Sequence, residues 1–193
     1  MLRGLYDWTM GLAGHRHALP ALAVVAFIES SLFPIPPDIL IIPMVLAARP
    51  RAWRIAAVAT AASVLGGLLG YAIGAGLYET VGRPVLEFYG YGAKFEEFRG
   101  AYNDWGAWIV AGAGFTPFPY KVITIASGVT GLNLAVFMLA SLVSRGARFF
   151  LLAALLWYFG PPVRRFIEAN LPLLATLFFV LLFGGFLAIR YLF

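Results

Sequence analysis

Phe33-Pro34-Ile35-Pro36-Pro37-Asp38 interrupts residues 20–48, a stretch otherwise apolar apart from Glu29, Ser30 and Ser31. Prolines 34, 36 and 37 remove backbone donors in close succession, so no regular helix continues through them. Residues 20–29 before the break and 38–49 after it would form helices of roughly 14 and 16 Å, each about half of a bilayer core of about 30 Å. Two such half-length helices fit a re-entrant hairpin that enters and leaves on one side; the alternative is one proline-kinked spanning helix. Thr116-Pro117-Phe118-Pro119-Tyr120-Lys121 repeats the pattern between residues 105–115 and 122–132. The first break carries an acid, Asp38, and the second a base, Lys121. Broken helices at matching places in two halves of an apolar chain point to a transporter-like site at the bilayer midplane.

Composition agrees with a membrane setting. Of 193 residues, 62% are hydrophobic and 12% charged, against about 25% charged in a soluble domain. The length suits one domain, residues 1–193, with about four to six membrane segments. The chain has no cysteine, which excludes disulfides, thiolate catalysis and thiolate metal sites. Its net charge of +5 reads as membrane topology, because the basic residues cluster at the ends of apolar runs, and no nucleic-acid partner is expected. His15 and His17 alone make no metal site, the acidic stretch has no recognisable metal spacing, and neither an enzyme nor a cofactor is expected.

The whole chain reads as an all-α membrane protein. An interfacial N-terminal helix with Leu2, Leu5, Tyr6 and Met10 on one face precedes a first hairpin-plus-span unit over residues 20–78. The basic, aromatic segment Arg49-Pro50-Arg51-Ala52-Trp53-Arg54 separates that hairpin from its span, residues 55–78. Gly66, Gly70 and Gly74 recur there at four-residue spacing, a face for internal packing or for a homodimer. Residues 79–104 hold five acidic and three basic side chains among aromatics. They read as an interfacial segment broken near Gly90-Tyr91-Gly92. Residues 105–160 form the second unit, and residues 171–193 a final span. One crossing between the units gives them opposite orientation, hence two inverted repeats. Arg3, Arg16, Arg49, Arg51, Arg54, Arg164 and Arg165 then share the cytoplasmic side, which places the C-terminus outside.

Five charges converge on mid-membrane. Glu29 and Asp38 flank the first break, Lys121 follows the second, and Arg145 and Arg148 lie midway along residues 133–160. A charge at this depth costs at least about 2.5–3.5 kcal/mol, so the five are expected to pair or to serve a ligand. Pairing alone would give Glu29–Arg145 and Asp38 with Lys121 or Arg148, and would leave one positive charge over. A bound anion would use that surplus. Lys121, Arg145 and Arg148 are the candidate binding residues for a phosphate headgroup, Arg145 and Arg148 sharing one helix face. The returning half-helices start at Pro36-Pro37-Asp38 and Pro119-Tyr120-Lys121 and aim their positive ends at the same region. Glu29 and Asp38 are the candidate proton carriers, with a plain N-cap as the other reading of Asp38.

Glu29-Ser30-Ser31-Leu32-Phe33-Pro34-Ile35-Pro36-Pro37-Asp38, the glycine-rich Leu65-Gly66-Gly67-Leu68-Leu69-Gly70-Tyr71-Ala72-Ile73-Gly74, and Pro117-Phe118-Pro119-Tyr120-Lys121 with Ala126-Ser127-Gly128 and Phe137 together resemble the DedA family. This family, also termed VTT or SNARE-associated, comprises bacterial inner-membrane proteins, and the short YqaA-like branch is the most similar. The resemblance covers roughly residues 20 to 160. It implies paired inverted re-entrant hairpins and a multi-pass protein that moves lipid-linked phosphates or phospholipids, undecaprenyl phosphate above all, with coupling to the proton motive force. It also implies that Glu29 and Asp38 match the family's acidic pair and that Lys121 stands near a usual arginine. Gly114 occupies the place of the family's other common arginine, a departure that Arg145 and Arg148 would have to make good from the next helix.

Overall fold

A computed structural model describes residues 17–32, 36–116, 118–160 and 162, and all regular structure among them is helical. Helices α1 (Ala18–Glu29) and α2 (Asp38–Ala47) are 12 and 10 residues long. A 3-10 turn at Arg49–Arg51 leads into α3, Ala52–Leu77, whose 26 residues span about 39 Å at 1.5 Å per residue. A π-helical turn, Tyr78–Gly82, joins it to α4, Arg83–Phe88. Then come α5 (Gly92–Phe115), α6 (Tyr120–Thr130) and α7 (Leu134–Gly160). Two stretches are long and apolar enough to cross a membrane, Arg49–Phe88 and Leu134–Gly160.

Local chemistry sets the ends of the short helices. At the end of α1, Ser30 and Ser31 fold their hydroxyls back onto the Ala26 and Phe27 carbonyls, 3.0 Å each. Pro37 and Pro119 stand immediately before α2 and α6, where a missing N–H costs nothing. Gly131 closes α6 in the left-handed region, φ +65°, and lets the Leu132 amide reach the Ser127 carbonyl at 2.9 Å. Asn133 opens α7 as an N-cap, its Oδ1 accepting from the Ala135 and Val136 amides at 2.9 and 3.2 Å.

Packing shows how the short helices are disposed along the two long ones. Leu22 of α1 and Ile41 and Val45 of α2 share a buried cluster with Ile55 near the start of α3 and Leu156 near the end of α7. Tyr102 and Val110 of α5 and Tyr120 of α6 share a second with Phe137 near the start of α7. Trp53 stacks on Phe150 at 6.2 Å and Tyr71 meets Phe137 at 5.3 Å, so α3 and α7 run antiparallel. The end of α1 reaches Ser63, close to the middle of α3. The α5–α6 pair approaches from the other end: Arg99 and Asn103 donate to the Thr130 carbonyl at its base, at 2.7 and 3.1 Å.

The glycine face of α3 is filled from within the chain. A Cβ on Gly66 would strike the Phe27 carbonyl of α1, and one on Gly70 would strike Thr124 of α6. A Cβ on Gly74 would strike the Ile125 carbonyl, and one on Gly128 would lie 2.8 Å from the Ala75 amide. Of the two uses read from the sequence, this face serves internal packing.

One boundary differs from the sequence expectation. Residues 79–104 do break at Gly90, φ +71°, but no helix begins at Trp105. Helix α5 is continuous from Gly92, because Tyr102, Gly106, Val110 and Ala113 form one buried stripe across the expected junction. Pro34, Pro117, the N-terminal interfacial helix, Arg164, Arg165 and the final span lie outside the described residues.

Candidate functional site

The break of the first helical pair ends in a closed polar ring. Glu29 is the last residue of α1, and its Oε2 accepts from Arg145 of α7 at 2.6 Å. The Arg145 Nε donates to Ser63 Oγ of α3, also at 2.6 Å. Ser63 and Ser30 hydroxyls meet at 2.7 Å, and Ser30 returns to Glu29 Oε2 at 3.1 Å. Arg145 is only 2% exposed. Its guanidinium lies over the rings of Tyr120 and Phe149, 4.8 and 4.7 Å from their centroids. Tyr120 in turn donates to Ser141. Three helices are thus fastened around one largely desolvated charge pair, and hydroxyls and aromatic rings supplement the contact between its charges.

A second layer lies nearer the openings of the breaks and is looser. Arg148 donates to Asp38 Oδ2 at 2.5 Å and to the Thr116 carbonyl at 2.7 Å. It thereby ties the start of α2 to the end of α5. Lys121 donates to the Leu32 carbonyl at 3.2 Å, and Thr124 to the Ser30 carbonyl at 3.0 Å. These tie the start of α6 to the end of α1. Each break is therefore braced by a cation that also touches the other, and each brace satisfies carbonyls that the break leaves without helical partners. The side chains of Arg148 and Asp38 are each 22% exposed, against 3% and 13% for Arg145 and Glu29. Lys121 forms no ion pair among the described residues.

Comparison with known proteins gives relatives without an assigned role. An uncharacterized protein of Haemophilus influenzae is 40% identical over 151 residues, 78% of this chain and 78% of its own length. An uncharacterized homolog from Histophilus somni is 39% identical over 156 residues, 81% of each chain. The chain belongs to their family. No protein-family model and no solved structure matches it.

The five charged residues singled out in the sequence do meet, together with Pro36, Pro37 and Pro119 beside them. Their pairing is specific: Glu29 with Arg145, Asp38 with Arg148, and Lys121 left over. Asp38 is not a cap. Pro37 holds the N-cap position and no side chain caps α2, because the carboxylate is drawn to Arg148. Arg145 and Arg148 do not converge on one point either, since each is committed to its own carboxylate. Gly114 packs directly on Ser144, and even a Cβ there would collide with the hydroxyl, so a larger side chain has no room. Ser30 and Ser63 complete the inner ring without having been singled out. Their signal was faint, a hydroxyl in an apolar helix being ordinary; both are fully buried. Among the described residues no three His, Asp or Glu side chains gather as a metal site requires.

Proposed function

We propose that this chain is a membrane translocase of the DedA type, carrying a lipid-linked phosphate such as undecaprenyl phosphate, or a phospholipid, across a bacterial inner membrane. In this reading α1–α2 and α5–α6 are re-entrant hairpins of two inverted repeats, α3 and α7 are their spans, and the breaks meet at mid-bilayer. The observation that carries it is Lys121, a cation at the meeting of the breaks held by a single carbonyl, 3.2 Å away, and by no carboxylate among the described residues. An anionic headgroup would bring the opposite charge that a neutral carbonyl lacks, a stronger partner for an ammonium. Arg148, which holds a carbonyl as well as Asp38, is the second contact for the phosphate. Arg145 is a positioning residue that holds Tyr120, and with it the start of α6, in place. Protonation of Asp38 releases one donor of Arg148, which gives a route for proton coupling.

A non-transporting scaffold is the second reading, and the closed Glu29–Arg145 ring favours it, because that ring needs no ligand. A small-solute or ion transporter would use the same surplus charge. Liposomes reconstituted with wild type, Lys121→Gln or Arg148→Gln, and loaded with labelled polyprenyl phosphate or labelled phospholipid, separate these. The translocase reading expects movement of at least one lipid by the wild type and its loss in Lys121→Gln, with helicity and melting unchanged. Equal rates in all three proteins, or no movement of either lipid, overturn it.

A further inference from the structure

The segment Arg49-Pro50-Arg51-Ala52-Trp53-Arg54 takes no part in the breaks. It forms the 3-10 turn and the first residues of α3. Arg51 and Arg54 are exposed, and three residues apart they share one face of the turn. Neither makes an ion pair or hydrogen bond within the described residues. Arg49 donates to the Trp157 carbonyl near the end of α7, while its Nε is buried without a partner. The described carboxylates are elsewhere: Glu29 and Asp38 at the breaks, Glu79, Glu87 and Glu96 in ion pairs beyond the far end of α3, and Glu97 and Asp104 on α5.

The charge here is also on the wrong end of its helix. The N-terminus of α3 carries the positive pole of the helix dipole, where cations are repelled and anions attracted. The negative end of the antiparallel α7 lies beside that pole, so the uncompensated charge among the described residues here is that of the two guanidiniums. Beside them lies an aromatic ledge. Trp53 stacks against Phe150 at 6.2 Å and meets Trp157 in a tilted contact at 6.3 Å, and both indoles remain nearly half exposed. Indoles at the end of a candidate span are the side chains that favour the headgroup region of a bilayer.

We propose that this end of the molecule binds an anionic phospholipid. Arg51 and Arg54 hold the phosphate, and the Trp53–Trp157 ledge supports the glycerol and upper acyl chain. Inorganic phosphate offers the same charge but leaves the indoles uncovered. The inference rests on the membrane reading of α3 and is independent of translocation.

The test uses the full chain in neutral-detergent micelles, titrated with phosphatidylglycerol, phosphatidylcholine or inorganic phosphate. Thermal midpoint and tryptophan emission are followed. Phosphatidylglycerol is expected to give a saturable rise in midpoint and a change in emission, and the other two neither. Each basic residue near an anionic headgroup contributes roughly fivefold, so Arg51→Gln/Arg54→Gln should weaken the apparent affinity about thirtyfold. Arg51→Lys/Arg54→Lys should keep most of it. An unchanged affinity in the glutamine variant overturns the proposal, as does an equal response to phosphatidylcholine or to phosphate alone. A wild type that enters micelles and ignores phosphatidylglycerol removes this inference alone. One that does not enter micelles removes the membrane reading with it.

Discussion

Glu29→Gln is the substitution that most directly tests how the site is built. It keeps the shape of the side chain and removes the charge that faces Arg145. The guanidinium, 2% exposed and enclosed by Ser63, Tyr120 and Phe149, cannot turn to water. Breaking a buried pair by neutralising one partner costs about 3–5 kcal/mol. For a chain of this size each kcal/mol lowers the melting midpoint by about 2–4 °C, so a fall of about 6–20 °C is expected. Asp38→Asn is the control. Its partner Arg148 keeps the Thr116 carbonyl, both side chains are partly exposed, and a loss of about 1 kcal/mol or less follows. Circular dichroism during thermal unfolding in detergent measures both. Glu29→Gln/Arg145→Met removes the whole charge pair and should recover at least half of the sum of the two single losses, since a buried pair and its apolar replacement are often close in stability. Strict additivity in that cycle, or equal losses for Glu29→Gln and Asp38→Asn, would refute the distinction between a closed inner ring and a looser outer layer.

The glycines give predictions of opposite sign. Gly74→Ala and Gly128→Ala drive a methyl into facing backbone and should each cost about 1–3 kcal/mol, read as a lower melting midpoint. Gly100→Ala and Gly112→Ala, in α5 with open space around the new methyl, should each raise stability by about 0.5–1 kcal/mol in the same assay. Gly114→Ala should destabilise through the Ser144 hydroxyl and be rescued in part by Ser144→Ala, a coupling that a double-mutant cycle measures. Gly131→Ala forces a Cβ into the left-handed region at the end of α6 and should cost about 1 kcal/mol.

Much of this arrangement was legible because its causes are local. Prolines 36, 37 and 119 terminate helices whatever surrounds them, and the four-residue spacing of Gly66, Gly70 and Gly74 marks one face of one helix. Charges placed midway along apolar runs must find partners, and Glu29–Arg145 is among the pairs that the sequence offers. What could not be read depended on relative placement of helices. The partner of Asp38 turned on whether α6 or α7 lay nearer, and no spacing along the chain encodes that distance. The start of α5 was misplaced because the charges around Asp104 look like an edge in sequence, whereas on the helix they lie beside a buried stripe that runs straight through. Ser63 was missed because its role comes entirely from the guanidinium that arrives from 82 residues away.

The unequal charges of the two breaks suggest, in sequence, that one break handles protons and the other holds an anion. Geometry favours a different division. Lys121 of the second break touches the first, and Arg148 touches both, so neither break has chemistry of its own. The contrast is instead one of depth. The inner pair satisfies its charges with each other, two hydroxyls and two aromatic rings, and any movement there leaves a buried charge unpaired at a cost of several kcal/mol. The outer cations hold backbone carbonyls through contacts of about 1.5–3 kcal/mol each, and in the proposed reading an incoming anion would bring them the opposite charge that a carbonyl lacks. In the proposed reading, an exchange of partners would begin with Lys121 and Arg148 while Glu29 and Arg145 stay fixed. In a cycle of movement the inner ring would be the pivot and the two braces the parts that open.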